Sequence, residues 1–298
     1  MMISARSFRN FSSVKNNPIM NFKSIPFLVF LIAIQGCVTI PQFSSRYAEA
    51  DRIAATCNFK KNFIKTKHFI LTSYYRFNLP GKPITIYIEG DGVAWETKRR
   101  LSADPTPRSP LVLRFVSTDS SANVAYLARP GQYSSRKYPT CDPLYWSDKR
   151  FSEEVIDSMD QAIDSLAKKA SAKNINLIAY SGGAAVAVLV AARRDDVSSL
   201  RTIAGNLDHI AVNKHHKVSP MKESLNPIDA ATKIAHIPQY HFVGQKDKIV
   251  PLSVTKNFVN VSGNPPSTKI IVIKGVAHAD GWLERWSELR ASSTLNDG

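Results

Sequence analysis

Four short segments hold the residues with chemistry to offer. They read Glu89-Gly90-Asp91-Gly92, Ala179-Tyr180-Ser181-Gly182-Gly183, Gly244-Gln245-Lys246-Asp247 and Gly275-Val276-Ala277-His278. Each follows an apolar run that reads as a strand, and open α/β sheets hold ligands beyond the C-terminal ends of their strands. A serine hydroxyl is a weak nucleophile until a base takes its proton, and histidine, with its pKa near neutrality, suits that task. The backbone N–H of Gly182, at the start of an apolar helix, can hold a developing anion with help from the helix dipole. The acidic loop at 89–92 invites a cation, but one short loop makes a poor metal site, and Cys37, Cys57 and Cys141 fit no zinc spacing. Neither a metal nor a cofactor is expected.

Taken together, the segments resemble the α/β-hydrolase family, and the match spans residues 84–290. The resemblance implies an α/β fold, a mostly parallel central sheet with helices on both faces. In that family the nucleophile sits on an elbow so tight that the residues two before and two after it must be small, as Ala179 and Gly183 are. Ser181 is then the nucleophile and Gly182 an oxyanion donor. The Gly-rich loop supplies the other donor, from the backbone of Asp91 or Gly92. Glu89 stands where many members carry His, and Asp91 brings a carboxylate close to where negative charge would develop. Gly-x-x-Asp followed by Lys-Ile-Val-Pro251 implies Asp247 as the acid that orients the histidine, with Asp208 as the alternative. His278 follows the last strand as general base, in the family's chain order Ser, Asp, His. His209, His215 and His216 lie in the stretch after the fifth major strand and are poorer candidates; His215 and His216 read as exposed loop residues, with contact to substrate as the alternative. The stretch Leu207 to His236 is too short for a large lid, so an open or thinly covered site is expected.

The N-terminus carries its own signal. An apolar run from Ile25 to Ile34 follows Lys23, too short to cross a bilayer as a helix and suited to the core of a signal peptide. Ile34-Gln35-Gly36-Cys37 resembles a bacterial lipoprotein signal, which implies cleavage after residue 36, acylation of Cys37 and stable anchoring. Translation from Met20 would give a lead of ordinary length. Residues 1–36 are therefore read as a signal, 37–58 as a lipidated tether and 59–298 as the α/β-hydrolase domain. Val38 in place of Asp favours the outer membrane where the envelope has two. Cys57 and Cys141 remain as an even pair in an oxidising compartment, where a bridge would persist.

The formal charge is +15, of which residues 1–36 supply four. That surplus favours anionic surfaces, but no basic run or aromatic-interleaved basic motif points to nucleic acid.

The elements that must position these residues alternate. Phe63–Ile70 and Leu71–Phe77 read as half-exposed edge strands. Ile84–Glu89, Asn123–Ala128, Ile175–Tyr180, Leu200–Ala204, Gln239–Val243 and Lys269–Ile273 read as further strands. Ser152 to Ala170, Gly182 to Arg194, Leu252–Val259 and Trp282–Arg290 read as helices, with Ser152 as N-cap. Lys98 to Pro110 reads as a mobile surface loop. The expectation is a serine hydrolase of the cell envelope acting on a small-molecule or lipid ester. A scaffold retained for binding without catalysis is the alternative.

Overall fold

The computed structural model describes residues 42–97, 99–134 and 141–292. Cys37 and the expected signal segment lie outside them. Eight strands form one sheet in the order β1-β2-β6-β3-β7-β8-β9-β10. They are β1 (Lys60–Lys65), β2 (Ile70–Phe77), β3 (Ile84–Ile88), β6 (Asn123–Leu127), β7 (Ile175–Tyr180), β8 (Val197–Ile203), β9 (Gln239–Gly244) and β10 (Thr268–Ile273). β2 runs antiparallel to both neighbours, and the pairs from β6 through β10 are parallel. A separate hairpin joins β4 (Trp95–Thr97) and β5 (Arg100–Leu101).

Parallel strands covered on both faces read as continuous apolar runs, and every residue of β3 and β6 is buried. Alternation then sorts them into two cores. Ile86, Leu127 and Leu177 point to one side, with α3 (Glu153–Ala170), α4 (Gly182–Ala191) and α6 (Leu252–Val261). Tyr87, Tyr126 and Phe242 point to the other, against α1 (Gln42–Thr56), α2 (Leu111–Ser117) and α7 (Leu283–Ser292). Helix α4 has no polar face and all of it is buried, which its small residues permit. Ser152 stands at the N-cap position of α3 with extended backbone, but its hydroxyl makes no capping bond.

Several expectations are corrected. Residues 42–56 form a helix where a tether was expected, because Ala50, Ile53 and Ala54 have a sheet face to cover. β2 is an interior strand, paired on both sides, so Thr72 and Ser73 are buried with their hydroxyls donating to the carbonyls of Tyr133 and Asn62. The stretch after the hairpin is no mobile loop. Ser102, Asp104 and Thr106 are buried. Arg46 of α1 donates to the Thr106 carbonyl at 2.8 Å, and Trp146 Nε1 donates to that of Ser102 at 3.0 Å. These polar groups read as loop by composition, yet each finds a partner in a neighbouring element.

The Cys57–Cys141 bridge is also overturned, since both are free thiols. Cys57 lies beside Arg76, the residue after Tyr75, which pairs with Lys60 at one end of β1, while Cys141 lines a cavity with Lys65 and Ile70 at the other end. Five residue steps of strand span about 16 Å, whereas a disulfide holds its Cα atoms within about 7 Å.

His241 on β9 is fully buried. Its Nδ1 shares a 2.8 Å hydrogen bond with the Thr202 hydroxyl, and Nε2 has no partner among the described residues. Burial pushes its pKa down to about 4. The unfolded chain takes up a proton near pH 6.5 and the folded chain does not until about pH 4. Stability from this residue is therefore present above pH 6.5 and lost as pH falls from 6.5 to 4, by about 3 kcal/mol. Urea unfolding at pH 7.5 and 4.5 checks this: His241→Gln should lower stability at pH 7.5 but lose less than wild type between the two pH values. Equal losses in both proteins would contradict it.

Candidate active site

Ser181 sits between β7 and α4 with φ 50° and ψ −121°, a region that side-chain-bearing residues rarely occupy. The turn holds because its neighbours are small: a Cβ on Gly183 would come within 2.5 Å of the Glu89 carbonyl oxygen. Its strained backbone lifts the Ser181 hydroxyl to His278, where Oγ and Nε2 are 2.9 Å apart. On the far side of the ring, His278 Nδ1 is 2.9 Å from Asp247 Oδ2. The other oxygen of Asp247 accepts from the backbone N–H groups of Ile249 at 2.8 Å and Val250 at 2.9 Å. The Asp247 side chain is 1% exposed, and these bonds together with the one to His278 satisfy both of its oxygens. Two further donors hold His278 from behind. Tyr180 Oη and Trp282 Nε1 both donate to its carbonyl, at 3.0 and 2.9 Å. A hydroxyl, an imidazole and a carboxylate in such a chain can pass a proton from the hydroxyl to the imidazole while the carboxylate steadies the resulting cation.

The loop after β3 lies against the elbow. Gln132 Nε2 donates to the Gly90 carbonyl at 2.9 Å, and Val93 N to that of Pro105 at 2.9 Å, bracing the loop at both ends. The N–H groups of Asp91, Gly92 and Gly182 have no acceptor among the described residues. Such idle donors beside a nucleophile can serve an oxyanion. The Asp91 carboxylate does not turn away from this place. A Cβ on Gly182 would lie 2.0 Å from its Oδ1. Two arginines hold it, Arg150 Nη1 at 2.9 Å from Oδ2 and Arg129 Nη1 at 3.3 Å from Oδ1. Burial alone would raise its pKa, but the two guanidinium groups, with a share from His278, outweigh burial and lower it. Glu89 is the opposite case. Burial lifts it to about 7, against hydrogen bonds from the Gly90 N–H and the Tyr126 hydroxyl.

No family model and no curated protein matches the chain by sequence. Solved structures do match its shape. An esterase from Pyrococcus furiosus superposes with a TM-score of 0.59 at 14% identity, covering 81% of this chain and 89% of that one. Est1E from Butyrivibrio proteoclasticus gives 0.54 at 15% identity, over 78% and 98% of the two chains. An acylaminoacyl peptidase from Pyrococcus horikoshii gives 0.58 at 13% identity over 80% of this chain and 43% of the peptidase. The fold is the α/β-hydrolase fold.

In an α/β-hydrolase fold, Ser181, Asp247 and His278 stand at the C-terminal ends of β7, β9 and β10, and the structure brings all three together. Asp208, the alternative acid, is used elsewhere. Its carboxylate caps α5 (His209–His216), accepting from Ile210 N and Ala211 N, both at 3.1 Å, and from Asn226 Nδ2 at 2.9 Å. His209, which opens α5, is 2% exposed with its ring against Phe151. His215 and His216 are exposed as expected, but they lie in the last turn of α5 where a loop was expected. Sequence reasoning missed Arg129 and Arg150. Arg129 had a signal, a basic residue directly after an apolar strand. Arg150 lies between two elements with nothing local to mark it.

Proposed function

We propose that this chain is a serine hydrolase that cleaves carboxylic esters through an acyl-enzyme on Ser181. The observation that carries the reading is the unbroken hydrogen-bonded chain from the strained Ser181 through His278 to Asp247. The esterase among the similar folds agrees with it in kind. His278 Nε2 accepts the Ser181 proton as Oγ attacks the carbonyl carbon, and the N–H groups of Gly182 and of Asp91 or Gly92 hold the oxyanion. The tetrahedral centre collapses, the C–O bond to the alcohol breaks, and His278 returns the proton to the leaving oxygen. Water, deprotonated by the same nitrogen, then releases the acid. Asp247 keeps the imidazole in the tautomer this requires.

The same reading places the enzyme in the cell envelope, anchored by lipid on Cys37. The apolar run ending in Ile34-Gln35-Gly36-Cys37 supports that placement. The shortness of the stretch from Leu207 to His236, too small for a large lid, supports a small or lipid ester as substrate.

A fluorophosphonate probe tests the nucleophile directly, because it traps only a serine already activated by its base. The wild-type protein should label on Ser181, and His278→Ala should not label. A folded wild type that stays unlabelled would turn the assignment toward a scaffold kept for binding, with the Asp91 carboxylate against Gly182 as the feature responsible.

A further inference from the structure

Asp91, Arg129 and Arg150 form a charged cluster that the proton relay does not use. Two guanidinium groups meet a single carboxylate, so the cluster carries a surplus positive charge unless Glu89 ionises. It lies against the nucleophile elbow, since Asp91 touches Gly182. Arg129 is buried, its Nη2 bonded to the Arg150 carbonyl and its Nε without an acceptor among the described residues. Arg150 is the accessible member. Its Nε donates to the Ser147 carbonyl at 2.8 Å and its Nη1 to Asp91, while its Nη2 is neither buried nor bonded among the described residues. One further polar atom beside the elbow is also idle. Asn206, whose N–H donates to the Ser181 carbonyl at 3.0 Å, leaves its buried Oδ1 without a donor.

A positive charge held this firmly beside a nucleophile has a cost that nothing in the proton relay requires. Two arginines need desolvating and only one is needed to neutralise Asp91. A second anion, arriving with the substrate, completes the balance. Guanidinium presents its donors in a plane that matches a carboxylate.

Resting on the serine hydrolase reading, we infer that Arg150, buttressed by Asp91 and Arg129, is a specificity residue that binds a carboxylate on the acyl side of the ester. The substrates it fits are monoesters of short dicarboxylic acids. The reaction is otherwise unchanged: the ester C–O bond breaks, and the second carboxylate stays paired with Arg150 throughout. The charge left after residues 1–36, +15 less four, is still strongly positive and favours the approach of such anions.

p-Nitrophenyl hemisuccinate and p-nitrophenyl butyrate have acyl chains of similar length and differ in charge. The wild-type protein should prefer the hemisuccinate in kcat/KM by roughly tenfold or more, the preference falling with added salt. Arg150→Gln should collapse the ratio of the two kcat/KM values by about the same factor, and Arg150→Lys should restore part of it. A wild type that favours the butyrate, or a ratio unmoved in Arg150→Gln, overturns the inference. Monomethyl succinate titrated calorimetrically into the Ser181→Ala protein reads the same site without turnover. Binding there, lost on adding Arg150→Gln, supports the anion site even if neither ester is hydrolysed, an outcome that would count against the hydrolase reading alone. Absence of binding in Ser181→Ala counts against the anion site.

Discussion

Ser181→Ala is expected to lower kcat for an activated ester by about five to six orders of magnitude, leaving only the residual rate that binding and an oxyanion site provide. The substitution removes the Oγ that lies 2.9 Å from His278 Nε2 and nothing else of the relay. Folding should survive, because the strained turn is enforced from outside. Ser181 N donates to the Ile203 carbonyl at 2.9 Å, and the Ser181 carbonyl accepts from Asn206 N at 3.0 Å. Alanine can keep both bonds. Steady-state hydrolysis of a p-nitrophenyl ester, with circular dichroism for the fold, checks the result. A loss below a hundredfold would mean that another group carries the reaction.

Asp247→Asn should cost about four orders of magnitude in kcat, and the structure says why an isostere is so damaging. One Asp247 oxygen accepts from two backbone N–H groups, those of Ile249 and Val250, and the other faces His278 Nδ1. An asparagine placed here keeps its carbonyl oxygen on the two donors, so its NH2 turns toward the ring. His278 Nδ1 must then accept, the proton moves to Nε2, and Nε2 can no longer take the proton of Ser181. The loss should appear in kcat with KM little changed, since no substrate contact is removed. Fluorophosphonate labelling should slow in parallel. An unchanged labelling rate would show that Asp247 is not the orienting acid.

The parts of the site that lie close together in sequence were legible there. The elbow at 179–183 needs small residues two before and two after the serine, and that demand is local. Asp247 and His278 each follow an apolar run directly, so their placement at strand ends follows from pattern alone. β3 and β6, buried at every residue, were read to within one residue, because continuous burial forces a continuous apolar run, whereas β8 starts at Val197, three residues before the apolar run that marked it. Where the sequence misled, composition stood in for environment. Ser102, Asp104 and Thr106 look like loop residues, yet they are buried by partners far along the chain, including Arg46 and Tyr133. Cys57 and Cys141 make an even pair by count, but strand β1 lies between them.

What the sequence by itself determined was the alternation of elements, the central position of the apolar helix after Ser181, and the order of nucleophile, acid and base. These follow from periodicity and from turn geometry, which act over a few residues. What only the tertiary structure decided was the charge beside the elbow. Asp91 reads alone as an acid harmful to an oxyanion. Its meaning changes because Arg129 and Arg150, 38 and 59 residues further on, close upon it. Electrostatic energy depends on distance in space and on burial, and neither is written in the spacing of residues along a chain.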